Sequence, residues 1–280
     1  MQDAPLFSKD SLLNFGLLAK LKLALQLSLP RFLFYFVTFV AIYAAVLLLT
    51  LILGFILGPA IGSFLTLLAF VVGLPPLLVG IAASILRCVD GDRSLVNLKE
   101  IKEPFGRFGQ IILLSLVWGG ICLLISLLFA LLNFIPFIGQ LLTFIGMIVL
   151  GMIIVNVFFY LAEHENTSLA EGVKKPISLV LNNLSCWFSY LVGSIIAYIP
   201  ATILFALGTT VALSSLVGVH PESSPSAFLG LGAAGVILFI LGGLASILAG
   251  VYTFFLAAIS YRQSTEHEDL AAQQKNLNPF

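Results

Sequence analysis

The sequence predicts an all-α polytopic membrane protein, with six transmembrane helices paired as three hairpins and an amphipathic interfacial helix ahead of each pair. Three observations carry that reading. Hydrophobic residues make up 60% of the chain and charged residues only 9%, with a mean hydropathy of +1.13. A soluble domain that rich in apolar residues would have no polar exterior left to show to water. The thirteen Lys and Arg residues fall in four clusters: Lys9 to Arg31, Arg87 to Arg107, Lys174–Lys175, and Arg262 with Lys275. The blocks between the clusters lack Lys and Arg, and each is long enough to cross hydrocarbon and return.

A helix needs about 20 residues to cross about 30 Å of hydrocarbon. The blocks Phe32–Leu86, Phe108–Ala162 and Ile177–Tyr261 therefore hold two spans each. Turn signals divide them: Gly58-Pro59 in the first, Asn133 to Pro136 in the second, and Val217 to Pro225 in the third. The resulting helices run over roughly 32–57, 61–86, 110–132, 139–162, 187–216 and 227–260. With an even number of spans, every basic cluster and both termini share one face. The positive-inside rule assigns that face to the cytoplasm. The last segment is longer than a span requires, so it tilts or extends beyond the interface. Residues 11–29 are Leu-rich, but Lys20 and Lys22 interrupt them and no small-residue cleavage site follows, so they do not read as a signal peptide.

Prolines make two spans irregular. Gly73-Leu74-Pro75-Pro76 lies in the middle of the second, and Pro200 lies inside the fifth. Proline withdraws a backbone donor and crowds the preceding turn. Gly73, Pro75, Pro76 and Pro200 are thus either a broken-helix substrate path of the transporter kind or packing kinks that neighbouring helices satisfy.

Each hairpin follows a similar capped segment: Ser11-Leu12-Leu13-Asn14, Ser94-Leu95-Val96-Asn97 and Ser168-Leu169-Ala170-Glu171. Ser at an N-cap accepts from the first helical turn, and Glu171 completes a capping box with Ser168. In the third segment Leu169, Val173, Ile177, Val180, Leu181 and Leu184 recur at helical spacing, with Lys174 and Lys175 beside them. Such helices lie in the headgroup plane. In the second segment, Pro104 ends the helix early. The chain divides into one membrane domain, residues 1–262, with repeat units at about 11–86, 94–162 and 168–260, and a cytoplasmic polar tail over 263–280. Gly54, Gly58 and Gly62, and again Gly242, Ser246 and Gly250, form small-residue stripes suited to close helix packing within the chain or to a homo-oligomer.

The spans hold almost no ionisable groups, which argues against a proton-coupled pump, a voltage sensor or an intramembrane protease. Asn156 is the most telling polar residue in them, because a buried amide needs a partner; an interhelical bond and a substrate contact both remain open. On the cytoplasmic face stand acid-x-acid pairs: Asp90 and Asp92, Glu163 and Glu165, and Glu266 and Glu268. They are either acids that favour helix N-termini and keep loops solvated, or, if the loops converge, a carboxylate cluster able to take a divalent cation. Cys88, Cys122 and Cys186 are odd in number and lack metal-ligand spacing. No HExxH, GxSxG, Walker or CxxC motif is present. The chain is therefore expected to be no enzyme, to need no cofactor and to bind no nucleic acid.

Two stretches resemble a known family. One runs from Pro75-Pro76 and Gly80 through Asp90-Gly91-Asp92 and Leu95 to Phe105-Gly106-Arg107-Phe108. The other runs from Ser168 to Ser178, with Asn182-Asn183 before Trp187. Together they resemble uncharacterised bacterial inner-membrane proteins of the YciC-like type, related to the membrane domain fused to some glycerophosphodiester phosphodiesterases. The resemblance implies a polytopic inner-membrane protein and supplies no catalytic residue. The expected role is membrane or envelope organisation, through anionic lipid headgroups at the cytoplasmic face or a membrane-protein partner. The alternative is a transporter or channel for a neutral or amphipathic solute.

Overall fold

Long runs of Leu, Ile, Phe and Val in lipid must satisfy their backbone hydrogen bonds internally, and helices do so within one segment. The computed structural model describes residues 16–91, 101–132, 134–135, 138–217 and 225–277. Their elements are α1 (Leu17–Leu57), α2 (Pro59–Val89), a 3-10 turn (Glu103–Arg107), α3 (Phe108–Leu132), α4 (Ile138–Glu163), α5 (Leu169–Asn182), α6 (Leu184–Val217) and α7 (Pro225–Leu277). No strand occurs among the described residues. Five helical stretches within them are long and apolar enough to cross a membrane: Val72–Val89, Glu103–Leu132, Ile138–Glu163, Leu184–Ser214 and Ala233–Gln274. A shorter apolar stretch, Leu48–Leu57, ends α1. The chain is a multi-pass membrane protein.

The turn expected at Gly58-Pro59 is present. Gly58 has φ 85°, which an L side chain adopts only with strain, and Pro59 supplies the first helical φ of α2. The stripe of small residues around it serves packing within the chain: a Cβ on Gly62 would lie 2.6 Å from Gly54 Cα. The expected break at Pro75-Pro76 is not a break in secondary structure, since α2 runs through both prolines. Pro200 likewise lies within the continuous α6.

Two boundaries differ from the sequence expectation. The first interfacial helix is no separate element: α1 is continuous from Leu17 through Pro30 to Leu57. Its first half nevertheless lies across the bundle. Tyr252 Oη donates to the Leu21 carbonyl (3.5 Å), and the Tyr35 ring packs edge-on against Phe255 at 5.9 Å. Leu21 and Tyr35 are about 21 Å apart along a helix axis, yet both meet the same turn of α7, so this stretch crosses α7 steeply. The second difference is the polar tail, which through Leu277 is a continuation of α7. The Ser11 and Ser94 caps lie outside the described residues.

The third interfacial helix forms as expected at its start. Ser168 Oγ accepts from the Glu171 backbone N–H, and Glu171 Oε2 accepts from the Ser168 N–H. Its buried face overlaps the expected stripe in part: Val180 is buried and Val173 and Ile177 pack against the core, but Leu169 and Leu181 are exposed and Gly172, Pro176 and Leu179 are covered instead. The helix is turned toward α3 and α4 rather than laid wholly on lipid.

Consecutive long helices pair as α1 with α2, α3 with α4 and α6 with α7, and the second members α2, α4 and α7 all touch one another. The core sits at one end of this arrangement. Ile81, Ile85, Phe159, Phe255, Ile259 and Tyr261 are almost fully buried there, with Phe159 and Tyr261 stacked at 5.8 Å. Toward the other end the same helices expose Leu141, Leu142, Phe144, Ile237 and Ile240. The bundle is tight where Arg107, Glu163 and Arg262 gather and opens toward the other end.

Candidate functional site

The tight end is fastened by an ion cluster joining the three central helices. Asp90 is the C-cap of α2, Glu163 is the last residue of α4, and Arg262 lies on α7. Arg262 Nε donates to Asp90 Oδ1 at 2.8 Å and Nη2 to Oδ2 at 2.5 Å, a two-pronged match of guanidinium to carboxylate. Arg262 Nη1 donates to Glu163 Oε1, and Tyr261 Oη donates to Glu163 Oε2 at 2.5 Å. Of the sequence-predicted acids, Asp90 and Glu163 therefore meet on one guanidinium. Asp92 lies outside the described residues, and Glu165 is exposed. No group of three metal-ligating side chains occurs among the described residues.

This geometry corrects the expectation that these acids favour helix N-termini. Asp90 and Glu163 stand at C-terminal ends, where a carboxylate meets the negative pole of the helix. Arg262 offsets that repulsion. A second cation does the same work locally: Arg107 Nη1 donates to the Leu161 carbonyl at 3.3 Å and the His164 carbonyl at 3.1 Å, at the end of α4.

Asn156 is fully buried and its Nδ2 donates to the Pro176 carbonyl at 2.8 Å, so the amide holds α5 on α4. A neighbouring bond explains how α5 tolerates Pro176. Proline has no N–H for the carbonyl four residues earlier, which is that of Gly172; the Trp118 indole donates to it instead, at 3.1 Å. A Cβ on Gly172 would lie 2.6 Å from Leu114 Cδ2, so glycine is what lets α5 approach α3 this closely. Lys20 is a further buried cation. Its Nζ donates to Ser189 Oγ at 3.2 Å and to the Cys186 carbonyl at 3.4 Å, tying α1 to the start of α6. Burial pushes the Lys20 ammonium below its ordinary pKa, with Cys186 acting in the opposite direction.

Two half-open apolar grooves flank the core. One, of about 590 Å³, lies between α1, α6 and α7; Pro200 lines it, and Lys22 is its one charged lining residue. The other, of about 510 Å³, lies between α2, α3 and α4; Pro75 lines it and no charged residue does. Gly73, Pro75 and Pro76 therefore do not share a groove with Pro200, and Asn156 lines neither. Sequence reasoning missed Arg262, Trp118 and Lys22 as organising residues. The signal for Trp118 was Pro176, whose missing N–H obliges the Gly172 carbonyl to find a donor elsewhere.

No protein-family model matches the chain, and neither a curated protein nor a solved structure does.

Proposed function

We propose that the protein is a six-span inner-membrane protein of the kind the YciC-like resemblance implies, with both termini cytoplasmic, organising membrane lipid or a partner protein rather than performing catalysis. The Arg262 cluster supports this reading best. The carboxylates most suited to chemistry, Asp90 and Glu163, are bound to a guanidinium of their own chain and fasten three helices together. Acids so engaged serve cohesion.

The docking of the interfacial segments supports three related units. The first half of α1 packs on α6 and α7, Ile101 and the 3-10 turn pack on α2, and α5 packs on α3 and α4. Each segment thus leans on the hairpin of another unit in one cyclic order, with α2, α4 and α7 at the centre. A ring of this kind has each unit cover an apolar face that its neighbour exposes.

Labelling of lysines in intact cells with a membrane-impermeant reagent tests the placement. Lys174 and Lys175 should react only after the membrane is permeabilised; reaction from outside overturns it. The role is tested by purification in mild detergent. A homogeneous protein that retains neither phospholipid nor any stoichiometric partner overturns it.

A further inference from the structure

The groove between α1, α6 and α7 has two qualities that together select a ligand. Its walls are apolar over most of their length: Leu25, Leu29, Ala197, Pro200, Ala245 and Leu248 line it. Its volume of about 590 Å³ falls in the range of ordinary ligand pockets. The groove carries a single cation: Lys22 is the one charged residue of its lining and stands on the α1 face that also presents Leu18, Leu25 and Phe32. An apolar slot with one ammonium in its lining matches a molecule with a hydrocarbon tail and an anionic head.

The position within the bundle agrees. The first half of α1 crosses α7 at the level of Tyr252, and Ala245 lies about 10 Å further along α7, away from Arg262. The slot therefore runs from beneath the crossing helix toward the open end of the bundle. Lysine carries its charge on a flexible apolar stem, so Lys22 can reach outward to a headgroup while its methylenes stay in the groove.

We infer that this groove is a binding site for an anionic phospholipid, with an acyl chain along Pro200 and Ala245 and the phosphate at Lys22. The inference rests on the membrane placement proposed above and deepens it. The groove between α2, α3 and α4 serves as an internal contrast, since it offers an apolar slot of similar size with no charged residue.

The test is native mass spectrometry of the full chain exchanged into equal mixtures of phosphatidylglycerol and phosphatidylcholine. Wild type should retain phosphatidylglycerol about fivefold over phosphatidylcholine, the effect of one basic residue near anionic lipid. Lys22→Gln should bring that ratio near one and Lys22→Glu below it, while Lys174→Gln, on the exposed face of α5, leaves it unchanged. Ala245→Phe, which fills the slot, should reduce retention of both lipids. Equal retention of the two lipids by wild type, equal effects of Lys22→Gln and Lys174→Gln, or undiminished retention by Ala245→Phe would each overturn the site while leaving the membrane placement intact. A chain that takes up no lipid of either kind, and whose Lys175 is labelled from outside the cell, would overturn the placement as well.

Discussion

Replacing Arg262 with alanine should destabilise the fold by about 3 kcal/mol, and the structure indicates where that cost arises. The Arg262 side chain is 18% exposed, whereas Asp90 is 44% and Glu163 33% exposed. Fully exposed pairs contribute about 0–1 kcal/mol, and breaking a fully buried one costs about 3–5 kcal/mol. An intermediate site gives about 1 kcal/mol for each carboxylate. Removing the guanidinium also leaves two anions near each other at helix C-termini, which adds about 1 kcal/mol. Arg262→Lys should lose about half as much, because lysine keeps the charge but lacks the fork that meets both Asp90 oxygens.

The informative variant is the triple one, Arg262→Leu with Asp90→Asn and Glu163→Gln. Removing all three charges should recover at least half of the loss, because the penalty of unpaired carboxylates disappears with them. Equilibrium unfolding in micelles, followed by the fluorescence of Trp118 and Trp187, measures each variant. An Arg262→Ala protein within about 0.5 kcal/mol of wild type would refute the fastening role. A triple variant no more stable than Arg262→Ala would show that lost side-chain packing, not charge, set the cost.

Other consequences are equally open to measurement. Trp118→Phe should cost about 1–3 kcal/mol by leaving the Gly172 carbonyl without a donor. Adding Pro176→Ala restores that donor within α5, so the double variant should be the more stable of the two; additive losses in a double-mutant cycle would count against the account. Asn156→Ala should cost about 1 kcal/mol, the usual worth of a hydrogen bond between membrane helices, and should speed hydrogen exchange in α5 before the rest of the bundle. Gly172→Val should push α5 away from Leu114, at about 1–3 kcal/mol, with a changed Trp118 emission as its signature.

The pH response of α5 has a definite sign. Hydrogen bonds from the Ser168 side chain and backbone hold the Glu171 carboxyl below the usual carboxylate range. Its contribution is present at neutral pH and is lost as pH falls through its lowered pKa. Amide exchange in the first turn of α5 should therefore quicken on acidification, and Glu171→Gln should flatten that dependence. Unchanged pH sensitivity in Glu171→Gln would assign the effect to another group.

Local chemistry was legible in the sequence, and long-range pairing was not. Gly58-Pro59, the Ser168–Glu171 box and the need of Asn156 for a partner could each be read from a few adjacent residues, because caps and turns are decided within one turn of chain. The partners of Arg262 lie 172 and 99 residues away, and no periodicity encodes such a distance. The sign of the dipole argument failed for a related reason. Whether Asp90 ends one helix or begins the next depends on where the helix stops, and boundaries are the weakest part of any pattern reading. The first interfacial helix, expected as a separate element, is instead the beginning of α1. Pro30 lies inside that helix, which runs through it as membrane helices can when neighbours satisfy what proline disrupts.

The uneven placement of polar contacts bears on how such a bundle uses lipid. Apolar side chains gain little by leaving hydrocarbon for other apolar side chains, so helices in membranes need packing and polar contacts to stay together. Here Arg262 with Asp90 and Glu163, Lys20 with Ser189, Tyr35 with Ser84, and Asn156 with Pro176 gather around the buried core at one end, while toward the other Thr143 donates to the Phe129 carbonyl within the α3–α4 pair. Toward the other end, exposed Leu and Ile leave the helices bound mainly within their own pairs. The grooves lie beside this transition, one lined by Pro75 and the other by Pro200. Lipid that fills them would replace missing helix contacts, so stability should follow bilayer composition at the open end and protein chemistry at the closed one.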